Sequence, residues 1–213
     1  MNMAPLFINF YVQTDDWSNH LRCLPIWPSL NLQAQGSVEI SGNTSGRTTN
    51  KGMEGLAITP DGNTLVGIMQ ANLRQDSVGY LRIVKIDIAT GITHEYAYKL
   101  DDGSGVSEIL AINNHEFLVD ERDGKGLGDG STAVVKKLYK IDLAGATEIT
   151  TNTIGSGTPL VTKYTSPFLD IVAKLTASNV GINAKFIPAK LEGIAFGPDI
   201  VIGGVTKHTL FCR

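Results

Sequence analysis

The chain has 213 residues, enough to bury a normal core in one domain or in two small ones. Its net charge of −3, with no block of like charge, gives no basic footprint for nucleic acid, and no apolar run reaches the ~20 residues a membrane-spanning helix needs. With 23 Gly against 8 Pro and only 18% charged residues, the composition fits a turn-rich all-β protein better than a helical or disordered one. Cys23 and Cys212 form no CxxC or Cys/His spacing that would suit zinc, which leaves a disulfide or two unrelated thiols.

Residues 1–35 hold both tryptophans and three of the prolines and share no pattern with the rest of the chain, so they read as an N-terminal extension of uncertain structure. The mildly apolar stretch Ala4 to Val12 lacks the basic flank and small-residue cleavage site of a secretory signal. The remaining domain, 36–213, opens with a loop rich in Gly, Ser, Thr and Asn that delivers the chain to Glu54.

A first unit of four strands is expected over Glu54–Thr59, Thr64–Met69, Tyr80–Ile88 and Thr93–Tyr98. Pro60-Asp61-Gly62-Asn63 makes the first turn, and Thr90-Gly91 ends the third strand. A second unit repeats the layout over Glu108–Ile112, Glu116–Glu121, Val134–Leu143 and Thr147–Thr151. An inserted helix is expected from Ser166 as N-cap and Pro167 in the first turn to Leu175. A third unit opens at Glu192 and reaches only Thr209 to Arg213.

A recurring phrase ties these units together: Glu54-Gly55-Leu56-Ala57-Ile58, Glu108-Ile109-Leu110-Ala111-Ile112 and Glu192-Gly193-Ile194-Ala195-Phe196. Ile86-Asp87-Ile88 and Ile141-Asp142-Leu143 also correspond. Repeats of roughly 40–50 residues built of strands and turns are the mark of a β-propeller. The expected fold is therefore all-β, a partial β-propeller of about two complete four-stranded blades plus the start of a third, with one inserted helix. An unclosed arc leaves strand edges open, so a fragment, or self-association through those edges, is expected.

In a propeller the first strand of each blade lines the channel, so Glu54, Glu108 and Glu192 are expected at one mouth, with Glu121 of the run Asp120-Glu121-Arg122-Asp123 close by. Converging carboxylates without His or Cys suit calcium, a hard cation that takes six to eight oxygens. The competing reading makes each Glu a strand cap or an ion-pair partner. Lys51, Arg122 and Lys190 adjoin these carboxylates, and Arg47 and Arg74 lie in neighbouring loops, a mixture suited to a small anionic or ester ligand. Ser104, Ser107 and His115 lie near Glu108 without a Gly-x-Ser-x-Gly elbow.

The stretch Lys51-Gly52-Met53-Glu54-Gly55-Leu56-Ala57-Ile58-Thr59-Pro60-Asp61-Gly62 resembles the phytase-like family, described by an esterase-like activity of phytase. The likeness continues in Ile68-Met69-Gln70, in Val119 to Gly124, in Lys137 to Leu143 and in Lys190 to Asp199, and covers roughly residues 44–211. The resemblance implies a six-bladed type of propeller, usually exported, that hydrolyses phosphate or carboxyl esters. It makes Glu54, Glu108 and Glu192 the catalytic candidates, these with Glu121 the calcium ligands, and Arg122, Lys190 and Arg47 the anion contacts. Two other readings stand beside this hydrolase: a non-catalytic propeller module that binds a ligand or a protein, and an inactive truncated fragment.

Overall fold

The computed structural model describes residues 44–213; the extension over residues 1–35, with Cys23, lies outside them. The first sheet is a four-stranded antiparallel meander, β1 (Met53–Ile58), β2 (Thr64–Met69), β3 (Tyr80–Asp87) and β4 (Thr93–Lys99). Its turns obey local chemistry. Asp61 Oδ1 accepts from Thr59 Oγ1 at 2.6 Å and Asn63 N at 3.0 Å, and Gly62 takes a φ of 74° that a Cβ would disfavour. Asp87 Oδ1 accepts from Thr90 N, just as Asp142 Oδ1 accepts from Ala144 N, so the repeated aspartate is the side chain that turns the chain out of each third strand.

The second sheet carries β5 (Gly105–Ala111), β6 (Glu116–Arg122) and β7 (Lys136–Asp142) in order, with β8 (Thr162–Lys163) and β9 (Leu169–Asp170) both on the outer edge of β7. The expected fourth strand over 147–151 does not form there. Ile149 N donates to Glu95 O at 2.8 Å and Val161 N to Ala97 O at 2.9 Å, so this connection runs back along β4 and covers the open edge of the first sheet. A buried network holds it: Arg82 binds Asp76 through Nε at 2.8 Å and Asn152 O through Nη2 at 2.9 Å, while Asp76 accepts from Ile154 N at 2.9 Å.

The inserted helix, α1, is shorter and later than its sequence suggests, spanning Ile171–Thr176. Asp170 rather than Ser166 caps it, accepting from Ala173 N at 2.9 Å, because Leu169 and Asp170 are first committed to pairing with β7. The third phrase forms β10 (Ile194–Phe196), joined across a hairpin of β11 (Ile200–Ile202) and β12 (Val205–Lys207) to β13 (Leu210–Cys212).

The described residues are thus all-β apart from one short α-helix and a 3-10 turn, a succession of antiparallel sheets consistent with a partial propeller. Between the first two sheets lies the main core. Val66, Ile68, Leu81, Ile83 and Tyr98 face Val106, Ile109, Phe117, Val119 and Ile141 across it. Burial of each such side chain is worth about 1.5–3 kcal/mol. The other face of the second sheet packs Leu118 and Leu138 against Ile171, Leu191 and Ile194. The inner strands β1 and β5 touch so closely that a Cβ on Gly55 would lie 2.6 Å from Ile109 N.

Pairing register corrects the repeat. A bulge between Met53 and Gly55 leaves Glu54 out of the β1 ladder, and a bulge between Val106 and Glu108 leaves Ser107 out of the β5 ladder. Counted from the partner strands, Ser107 stands where Glu54 stands, and Glu108 stands where Gly55 does. Glu54 and Glu108 therefore occupy different positions in their sheets, although the phrase aligns them.

Candidate functional site

Strand β6 divides the acidic run between two faces. Side chains alternate along a strand, so Phe117, Val119 and Glu121 turn toward the first sheet, and Leu118, Asp120 and Arg122 turn toward β10 and the segment before it.

Glu121, fully buried, is a tie between sheets. It accepts from Tyr98 Oη and Lys163 Nζ, both at 2.5 Å, and from the backbone N–H groups of Asp101 at 3.2 Å, Asp102 at 3.2 Å and Gly103 at 3.4 Å. Lys163 Nζ also lies 4.7 Å from the centre of the Tyr98 ring and 4.0 Å from that of Tyr139, a cation–π pair of contacts. Burial first, and then the Glu121 charge, drives the Tyr98 hydroxyl well above its ordinary range. With its lone pairs engaged, Glu121 has none to offer a metal.

The opposite face gathers a different set. Asp120 is fully buried; its Oδ2 lies 3.0 Å from Ser107 Oγ, and its Oδ1 has no partner. Ser107 Oγ also donates to Leu191 O at 2.7 Å. One hydroxyl proton cannot serve two acceptors, so both contacts are met when a neutral Asp120 donates to Oγ and Oγ donates onward. Burial pushes the Asp120 carboxyl up to about 6, against the pull of Ser107, Arg122 and Lys136. Glu108, directly opposite Asp120 in the ladder, is itself pushed up by burial and accepts from Ile109 N at 2.9 Å.

Arg122 completes the corner. Its side chain is only 6% exposed, yet Nη2 donates at 3.0 Å to Oε1 of Glu192, whose side chain is 58% exposed, and Arg122 Nε has no partner. A buried cation thus meets water through one exposed carboxylate. Beside the corner, between β1, β5 and β10, lies an open surface depression of about 230 Å³ lined by residues 56–58 of β1, residues 108–111 of β5, and Ile194, with Glu108 as its carboxylate.

The sequence candidates are distributed unevenly. Glu108, Arg122 and Glu192 share the corner, whereas Glu121 lies on the opposite face of β6. Glu54 is exposed at the β1 bulge, Lys190 is exposed one residue before Leu191, and Arg47 lies in the loop leading into β1, next to the Gly46 whose carbonyl accepts from Arg74 N. Sequence reasoning counts Asp120 only as one oxygen source in the acidic run 120–123, and Ser107 only as a nucleophile without an elbow motif. The signal is there for Asp120, because a residue two positions before Arg122 in a strand must share its face.

Calcium does not fit this donor set. Among the described residues no three His, Cys, Asp or Glu side chains converge to hold a metal ion, and Glu192 is already committed to Arg122. Among the described residues no imidazole reaches Ser107: His94, His115 and His208 pair with Glu148, Asp142 and Asp199 respectively. No helix among the described residues is long and apolar enough to cross a membrane. Cys212, beside Ile194 in the ladder, is a free thiol that burial pushes up.

Comparison with known protein families matches residues 9–209 to the phytase-like family, described as esterase-like activity of phytase. No curated protein and no solved structure matches the chain. The family match begins inside the segment 1–35 and runs through both sheets, the Asp120–Arg122 corner and the Leu191–Glu192 segment that closes it. On that span, this chain belongs to the phytase-like family and is an esterase-like domain.

Proposed function

We propose that this domain hydrolyses an ester, of phosphate or of a carboxylic acid, at the corner built from Asp120, Arg122, Glu192 and Glu108. One observation carries the reading: Asp120 and Arg122, neighbours on one face of β6 and both buried, each keep a polar atom without a partner. Buried groups left unsatisfied in this way cost stability and call for an explanation in function.

Arg122 supplies the electrostatic part. A substrate oxygen replaces the Glu192 carboxylate on the guanidinium, and the charge that develops as water attacks is held in a site of low dielectric. The water's proton goes to the displaced Glu192 carboxylate, the bond from the ester centre to the leaving oxygen breaks, and neutral Asp120 gives that oxygen its proton. Solvent then restores both carboxyl groups. A carboxyl held near 6 is the kind of acid that can donate close to neutral pH. This route is written without a metal, because Glu121 and Glu192, two of the four carboxylates expected to hold calcium, are engaged by Lys163 and Arg122.

Hydrolysis of p-nitrophenyl acetate and p-nitrophenyl phosphate by the wild-type chain and by Asp120→Asn and Arg122→Met tests the reading. At least one substrate should turn over, and each variant should lose about 10²–10³-fold in kcat, the scale of a removed oxyanion donor or proton donor. Turnover of neither substrate, or full activity in both variants, refutes it. A binding module without turnover is the outcome in which ligands bind and nothing is hydrolysed.

A further inference from the structure

Resting on the hydrolytic reading of the corner, we infer that Ser107 is a positioning residue: its one hydroxyl pins the segment that carries Glu192, and so sets the spacing between the acid Asp120 and the base Glu192. The pin owes its place to the bulge in β5. Val106 and Glu108 pair with Glu121 and Asp120, which leaves Ser107 as the extra residue of the strand. A bulge re-aims a side chain. Here the re-aimed side chain is that of a residue 3% exposed, with Oγ 3.0 Å from Asp120 Oδ2 and 2.7 Å from Leu191 O.

Two backbone ties flank the pin on the segment before β10. Toward its start, Ile187 O accepts from Leu127 N at 2.8 Å and Ala189 N donates to Leu127 O at 2.9 Å. Toward its end, Glu192 N donates to Arg213 O at 2.8 Å, just past β13. Between them Lys190 is exposed and Leu191 is buried, its carbonyl taking its hydrogen bond from Ser107. The Leu191 side chain packs with Leu118, Leu138 and Ile194, but apolar contact is non-directional, so the hydroxyl supplies the orientation. The carbonyl it holds belongs to the peptide that joins Leu191 to Glu192, whose Oε1 accepts from Arg122 Nη2 at 3.0 Å. Acid and base thus meet at one oxygen: Asp120 lies on one side of it, and the peptide before Glu192 on the other. In a site that works by placement, a shift of 1 Å costs up to about 10²-fold in rate.

The test joins kinetics on p-nitrophenyl acetate and p-nitrophenyl phosphate to amide hydrogen exchange, both at one pH, for wild type, Ser107→Ala and Asp120→Asn. Ser107→Ala should lose about 10–10²-fold in kcat with KM changed less than about threefold, because the binding guanidinium is untouched. Exchange at the Glu192 and Gly193 amides should quicken by about tenfold, the scale of one lost hydrogen bond, while β2 and β3 stay protected. Asp120→Asn keeps a donor for Ser107, so it should be slow in turnover and still protected at 192 and 193. If Ser107→Ala does not fold, Ser107→Cys carries the same comparison, since its thiol fills the site and donates weakly. Unchanged kcat, a lost kcat with 192 and 193 still protected, or protection lost equally throughout the chain each overturns the inference. If wild type hydrolyses neither ester, the catalytic reading fails, and local loosening at 192 and 193 still decides whether Ser107 is the pin.

Discussion

Asp120→Asn should make the protein more stable as pH rises, by an amount the structure fixes. The carboxyl is pushed from its ordinary 3.8 up to about 6 in the folded chain, chiefly by burial. A folded-state value above the unfolded one means that the folded state holds the proton longer. Below about pH 4 the carboxyl is neutral in both states and costs nothing. Between about pH 4 and 6 the unfolded chain ionises while the folded chain does not, so stability falls with rising pH until both have ionised. The difference of roughly 2 pKa units corresponds to about 3 kcal/mol lost by pH 8. The asparagine amide keeps an N–H donor for Ser107 Oγ and carries no charge, so urea unfolding should show the variant level with wild type at pH 4 and about 2–3 kcal/mol more stable at pH 8. Other carboxylates titrate over the same range, which is why the comparison is between the two proteins and not along one curve. A stability difference that does not change with pH would refute the assignment of Asp120 as a carboxyl neutral into the weakly acidic range. Under the catalytic reading the more stable variant is also the less active one, the trade expected at a functional site.

The same carboxyl predicts that hydrolysis falls as pH rises through about 6, because only neutral Asp120 can donate; a rate that climbs steadily from pH 5 to 8 would contradict this. Lys163→Met removes a partner from fully buried Glu121 and should cost about 3–5 kcal/mol in urea unfolding, and a loss under 1 kcal/mol would show that Tyr98 and the three backbone N–H groups suffice. Arg82→Met strands Asp76 in the same way, and should also free the 147–161 connection from β4, seen as new cleavage there in limited proteolysis. Gly55→Ala should lower the melting temperature through a clash with the backbone of Glu108 and Ile109, whereas alanine at Gly52, where a Cβ meets nothing, should change it little; equal effects would argue against the close approach of β1 to β5.

Much of the fold is legible because it is local. Strand β2 runs over Thr64–Met69 as expected from the turn before it, β1 is shifted by one residue, and β3, β4 and β6 depart from expectation by one residue at their C-terminal ends. The turns at Asp61-Gly62 and after Asp87 and Asp142 are readable too, since an aspartate that binds the backbone two or three residues on acts within its own turn. Less of the site can be read. The repeat and the family resemblance point to Arg122, Glu108 and Glu192, but they favour Glu121 over Asp120 and leave Ser107 without a role.

The sequence by itself determined the all-β class, the succession of strand units and the family, because hydrophobic alternation and turn chemistry are written in neighbouring residues. Tertiary structure alone decided the register and the faces. The bulges at Glu54 and Ser107 shift one inner strand against the repeated phrase by a residue, and in a strand such a shift exchanges one face for the other. It likewise decided that residues 147–161 lie along β4, through bonds such as Ile154 N to Asp76 that join positions 78 apart. Contacts of that length depend on how whole sheets pack, and a single line of sequence carries no local sign of them.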